Sequence, residues 1–130
     1  MKNTFLNFLK SQTLIADGAM GTMLHARGVG FEKCFDELNL TNPSAVAEIH
    51  RAYIEAGAHL IITNTFGANR FKLTKHGLQN DVVEINKAGV DLDNIILQAV
   101  FLAYHHRQYG LTSSFGLSIS SPKNSCHSHS

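Results

Sequence analysis

Two short polar segments hold the residue types from which a small-molecule site is made. Asp17-Gly18-Ala19-Met20-Gly21 follows the apolar run Leu14-Ile15-Ala16, and Thr63-Asn64-Thr65-Phe66-Gly67 follows Leu60-Ile61-Ile62. A carboxylate gives a cationic ligand group a charge-assisted contact. An adjacent glycine lets that ligand come close to the backbone. Asp17 and Gly18 supply this combination, and Asp17 is also the residue of an ordinary turn cap. Met20 suits a pocket wall or plain core packing. Thr63, Asn64, Thr65 and Phe66 suit a ligand loop or the turn chemistry that ends a strand.

Other chemistry-bearing residues form weaker patterns. Cys34 stands alone, and an isolated cysteine is usually structural. Cys126-His127-Ser128-His129 has soft donors in a low-complexity setting, which allows adventitious metal binding at most. His50, His76, His105 and His106 read as surface or helix residues. No nucleophilic triad, phosphate-cradling loop or basic nucleic-acid stripe is present.

The elements that would position the two polar segments are legible from capping and periodicity. Asn3 caps a short helix that places Phe5, Phe8 and Leu9 on one face. Thr13 to Ala16 reads as a short buried strand. Asn42-Pro43 starts a helix carrying Val46, Ile49 and Tyr53, with Gly57 as its stop. Leu60-Ile61-Ile62 reads as a strand buried on both faces. A helical piece follows over Ala68 to His76 and stops at Gly77. Asn80-Asp81 then caps a longer helix with Val82, Ile85, Ala88 and Leu92. The order strand, helix, strand, helix predicts an α/β protein with parallel strands. In such folds ligands bind beyond the carboxyl ends of the strands, which is where both polar segments fall.

The chain has 130 residues and a net charge of +1. That balance gives no reason to expect nucleic acid or a membrane as partner, and two distant cysteines make no disulfide framework. The expected compartment is the cytoplasm. Composition shifts near residue 92. Of the charged residues beyond it only Asp93, Arg107 and Lys123 remain, while serine becomes frequent. We therefore divide the chain into 1–92, a barrel-like part, and 93–130, a divergent helix with a Ser/His-rich tail. Residues 118–130 have too little apolar surface to offset their ordering entropy, which predicts disorder. The shift also suggests a truncated or frame-shifted coding sequence, with a variable C-terminal extension as the alternative.

Four ordered blocks carry a resemblance. They are Leu14 to Thr22, Cys34 to Pro43, Ile49 to Ala58 and Ile61 to Asn69. Together they resemble the zinc-dependent homocysteine S-methyltransferases, continuously from Thr13 to Val90. The bacterial type fused to a methylenetetrahydrofolate reductase is the most similar. The resemblance implies a (β/α)8 TIM barrel, of which this chain would supply about two βα units, since such barrels need about 250 residues.

The same resemblance implies a function and a site. The expected activity is methyl transfer to the zinc-activated thiol of homocysteine, forming methionine. Asp17 and Gly18 match positions that hold the amino group, and Thr63 matches a position near the substrate. Met20, Asn64 and Phe66 complete the expected substrate-binding set. No catalytic residue and no metal ligand is assigned. Zinc is expected for the family, yet the paired Cys-Cys that holds it there has no counterpart here. The expected partners are homocysteine and a methyl donor, with self-association through open barrel edges. The alternative is a non-catalytic barrel fragment, inactive alone, that binds itself or another chain.

Overall fold

The Asn42-Pro43 pair starts a helix as its chemistry requires. The Asn42 side chain accepts from the Ala45 N–H, and Pro43 occupies the first turn, where no donor is needed. The computed structural model describes residues 4–109, with side chains at 6, 7 and 9–100. The Asn3 cap, the tail 118–130 and the Cys126 to His129 run lie outside the described residues.

Helices dominate. They are α1 (Thr4–Ser11), α2 (Met20–Ala26), α3 (Leu38–Thr41), α4 (Pro43–Glu55), α5 (Arg70–Leu73) and α6 (Val82–Tyr109), with a 3-10 turn at Thr74–His76. Two glycines end helical segments as expected, Gly57 at φ +106° and Gly77 at φ +73°. The long α6 runs through residue 92 and packs against α3 and α4. The short α2 packs on α4.

The α/β expectation does not hold. Among the described residues there is no strand, only one isolated parallel bridge between Ala16 and Leu60. Around it the Asp17 N–H donates to the Leu60 carbonyl at 2.9 Å, and the His59 N–H donates to the Ile15 carbonyl at 2.7 Å. The two apolar runs do lie side by side and parallel. They do not extend into a ladder, because each is short and neither has the cover on both faces that parallel strands need. Ile15 is 55% exposed and Ile62 66% exposed. The run Leu60-Ile61-Ile62 has the composition of a buried strand, and here it is an extended loop edge. The expectation of two βα units of a TIM barrel is therefore corrected to a helical fold with one parallel bridge.

The core follows helical stripes instead. Leu24 from α2, Val46 and Ile49 from α4, Leu73 from α5, and Ile85 and Ile96 from α6 are fully or almost fully buried. Leu73 and Ile85 join Cys34 and Ala68 in one cluster, with Leu78 and Val82 against it. Burying one such aliphatic side chain contributes about 1.5–3 kcal/mol. These helices fix the two polar segments, the first of which runs into α2 at Met20.

Candidate functional site

The loop at residues 63–66 is held by side-chain amides. The Asn39 amide donates to the Asn64 carbonyl at 2.7 Å and also toward the Ile85 carbonyl at 3.3 Å. The Asn64 amide donates to the Phe35 carbonyl at 2.8 Å and to Asn39 Oδ1 at 3.1 Å. Both residues are buried, and every bond satisfies a group that would otherwise be stranded. Beside them Thr63 and Thr65 hydroxyls lie 2.7 Å apart, and the Thr65 N–H donates to the Thr63 carbonyl. Asp36 accepts from the Gly67 N–H at 2.8 Å and closes the loop.

The loop at residues 17–21 is fixed from α4 and by the bridge. The Tyr53 hydroxyl donates to the Ala19 carbonyl at 3.0 Å. A Cβ built at Gly18 would stand 2.9 Å from that hydroxyl, so a side chain here would push the Tyr53 ring aside. The Ile62 N–H donates to Asp17 Oδ2 at 3.0 Å, which ties the two loops together directly.

Between the loops lies a cavity of about 680 Å³. Five of the six expected substrate residues line it: Gly18, Met20, Thr63, Asn64 and Phe66. Phe31 and Phe35 give it aromatic wall, while Lys33, Lys72 and His76 bring basic groups to its lining. Phe66 is 91% exposed, and Lys72 Nζ sits 4.2 Å from its ring centre. That is a cation–π contact.

Asp17 is placed differently. Its carboxylate lies behind Gly18 and Ile62, with the side chain only 3% exposed. There it meets His50 of α4, whose ring is fully buried. His50 Nδ1 stands 3.7 Å from Asp17 Oδ2, and His50 Nε2 stands 3.1 Å from Asp93 Oδ1. Asp17 Oδ1 and both ring nitrogens lack an aligned hydrogen-bond partner. Burial, foremost, pushes the Asp93 carboxyl above its ordinary range. His50 pulls it back and Asp17 pushes it up again.

His50 was read as a surface or helix residue, and the structure buries it completely. A signal for it existed. His50 continues the Val46 stripe at +4, and Tyr53 follows at +3, which puts the ring on the buried face of α4. Asp93 likewise lies on the stripe Ile85, Gly89, Asp93, Ile96. A charged residue on a buried stripe calls for a buried partner, and His50 is that partner.

Zinc does not fit the described residues. Among the described residues no three His, Cys, Asp or Glu side chains converge on a point that would hold a metal. Cys34 lines the cavity as a single buried thiol, and burial, ahead of the opposing backbone N–H groups of Glu37 and Asp36, raises its pKa. One thiol alone makes no zinc site, since zinc takes three or four protein donors.

Comparison with known proteins adds an independent line. The family model described as homocysteine S-methyltransferase matches residues 14–127. A methionine synthase of Mycobacterium tuberculosis (strain ATCC 25618 / H37Rv) is 37% identical over 90 residues, covering 65% of this chain and 8% of that protein. A methionine synthase of Mycobacterium leprae (strain TN) is 32% identical over 108 residues, covering 78% of this chain and 9% of that protein. The chain thus spans less than a tenth of the length of these curated relatives. Among the described residues no helix is long and apolar enough to cross a membrane.

Proposed function

This chain belongs to the homocysteine S-methyltransferase family, and from that premise we propose that its cavity seats the amino-acid part of homocysteine during methylation to methionine. The observation that carries this reading is the convergence of Gly18, Met20, Thr63, Asn64 and Phe66 on one cavity. Gly18 offers close backbone approach, and the Thr63 hydroxyl offers a hydrogen bond. Asp17 does not line the cavity; buried one layer behind Gly18 and Ile62, its carboxylate adds negative charge at that wall for a cationic ligand group. The aromatic wall suits the apolar methylene stem of the ligand.

The chain by itself binds substrate without methylating it. Support comes from the described residues, among which no group of three His, Cys, Asp or Glu side chains could hold a zinc ion. Equilibrium dialysis with labelled L-homocysteine tests the reading. Saturable uptake that Thr63→Val weakens supports it. Uptake no greater than that of a protein without the cavity contradicts it.

A second reading has its own observation. Ile15, Ile62, Phe66 and Phe71 are exposed by half or more on or near the two loops. Surfaces of that kind mark association sites when contiguous. On this reading the chain is a non-catalytic module that pairs with itself or another chain. Light scattering on the purified chain separates the two, since a monomer across a wide concentration range counts against self-association.

A further inference from the structure

We infer that the cavity admits a second ligand beside the amino acid, an oxyanion on a planar apolar body, and that Lys33, Lys72 and His76 select it against a cationic one. The inference rests on the substrate reading above only for the identity of the first occupant.

The basic groups come from two separate parts of the chain. Lys33 lies in the loop between α2 and α3, whereas Lys72 and His76 lie one turn apart on α5 and the 3-10 turn after it. All three reach the lining of the same cavity. Among the described residues none of them is in an ion pair. The one carboxylate in the lining is Asp36, and its Oδ1 already accepts from the Gly67 N–H. The chain's net charge is only +1, so this basic excess is local. Cationic side chains gathered in a cleft with apolar walls focus a field that draws in anions.

The aromatic lining points the same way. A quaternary ammonium group is commonly held on the face of an aromatic ring. Here Lys72 Nζ stands 4.2 Å from the Phe66 ring centre, so a ligand cation on that ring would meet the lysine's charge. Phe31 and Phe35, with ring centres 6.1 Å apart, offer apolar surface to a planar body. The volume has room for both occupants. A cavity of about 680 Å³ is of the size that encloses a drug-sized ligand, and homocysteine is far smaller.

Amide chemical-shift titrations on the full chain test this with benzoate, phenyl phosphate and benzyltrimethylammonium. Benzoate or phenyl phosphate should shift Lys33, Gly67 and Lys72 saturably, and the tighter of the two identifies a carboxylate or a phosphate as the group taken. Lys33→Gln combined with Lys72→Gln should weaken that binding about tenfold, as loss of charge-assisted contacts does. Lys33→Arg combined with Lys72→Arg should keep it, and raised salt should weaken it in the parent. The inference is overturned if the ammonium compound binds as tightly as the anions, or if a folded Gln variant binds the anions as the parent does. It is equally overturned if neither anion shifts these amides up to millimolar concentration. Repeating the titration with L-homocysteine present separates the two readings. Anion affinity that persists with the amino acid bound supports two occupants, and mutual displacement contradicts them. Anion binding in a chain that takes up no L-homocysteine removes the substrate reading and leaves the anion site standing.

Discussion

Asn39 and Asn64 bind each other reciprocally: the Asn39 amide donates to the Asn64 carbonyl at 2.7 Å, and the Asn64 amide donates back to Asn39 Oδ1 at 3.1 Å. This pair joins α3 to the loop that forms one cavity wall, and the Ile85 carbonyl brings α6 into the same network. Replacing Asn39 with Leu leaves the Asn64 and Ile85 carbonyls and the Asn64 amide short of partners. Stranding buried polar groups costs about 1–3 kcal/mol each. We expect Asn39→Leu to lower stability by roughly 2–4 kcal/mol, read from the urea unfolding midpoint. An unchanged midpoint would mean that the network carries no stability.

Gly89 gives a prediction whose sign depends on packing. It lies inside α6, where alanine is normally better by about 1 kcal/mol. A Cβ there would stand 2.8 Å from both Asn39 Nδ2 and Thr65 Cγ2. Overpacking of this kind costs about 1–3 kcal/mol. Gly89→Ala should therefore destabilise rather than stabilise, and its cost should shrink in an Asn39→Ala background. Thermal melts of the two single variants and the double variant check this.

Cys34 should be unreactive. Its thiol is buried, and burial raises its pKa above the ordinary value. The thiolate is the reactive form, so iodoacetamide at pH 8 should modify Cys34 slowly in the folded chain and quickly in urea. Cys126→Ser removes the other thiol from the assay. Because the folded value is raised, the folded state holds this proton longer than the unfolded chain does. Stability from this group is complete below the unfolded value and falls as pH rises through the folded one. Fast native labelling would contradict the placement of this side chain.

Asp93 imposes a pH dependence of the same sign at lower pH. Its carboxyl is raised above the ordinary carboxylate value, chiefly by burial. The folded state therefore keeps a proton that the unfolded chain has lost. Its stabilising contribution is complete below the unfolded value, about 3.9, and is lost as pH rises through the folded value. Asp93→Asn should remove that decline, so the gap in stability between the variant and the parent should change across the acidic range. Denaturant melts at stepped pH measure it. Parallel stability curves for the two chains would contradict it.

Local chemistry in the sequence was the most legible part of this molecule. Asn42-Pro43, Gly57 and Gly77 act through the residues beside them, so their helix boundaries followed from type and position. Five of the six expected site residues also meet at one cavity, because both loops follow the two apolar runs that lie side by side. The strands were not legible. Leu60-Ile61-Ile62 has the composition of a buried strand, but a ladder depends on neighbours far along the chain, and Ile62 ends exposed. The His50–Asp93 contact was missed for a similar reason. Each residue shows its helical stripe, while their meeting depends on how α4 packs on α6.

The account centres on a ligand cavity between the loops at residues 17–21 and 63–66. Amide chemical-shift mapping with L-homocysteine tests it most directly. We expect saturable shifts at Gly18, Met20, Thr63 and Asn64, with the Asp17 carboxyl carbon moving along the same binding curve. Shifts confined to residues away from these two loops, or none up to millimolar ligand, would contradict the account.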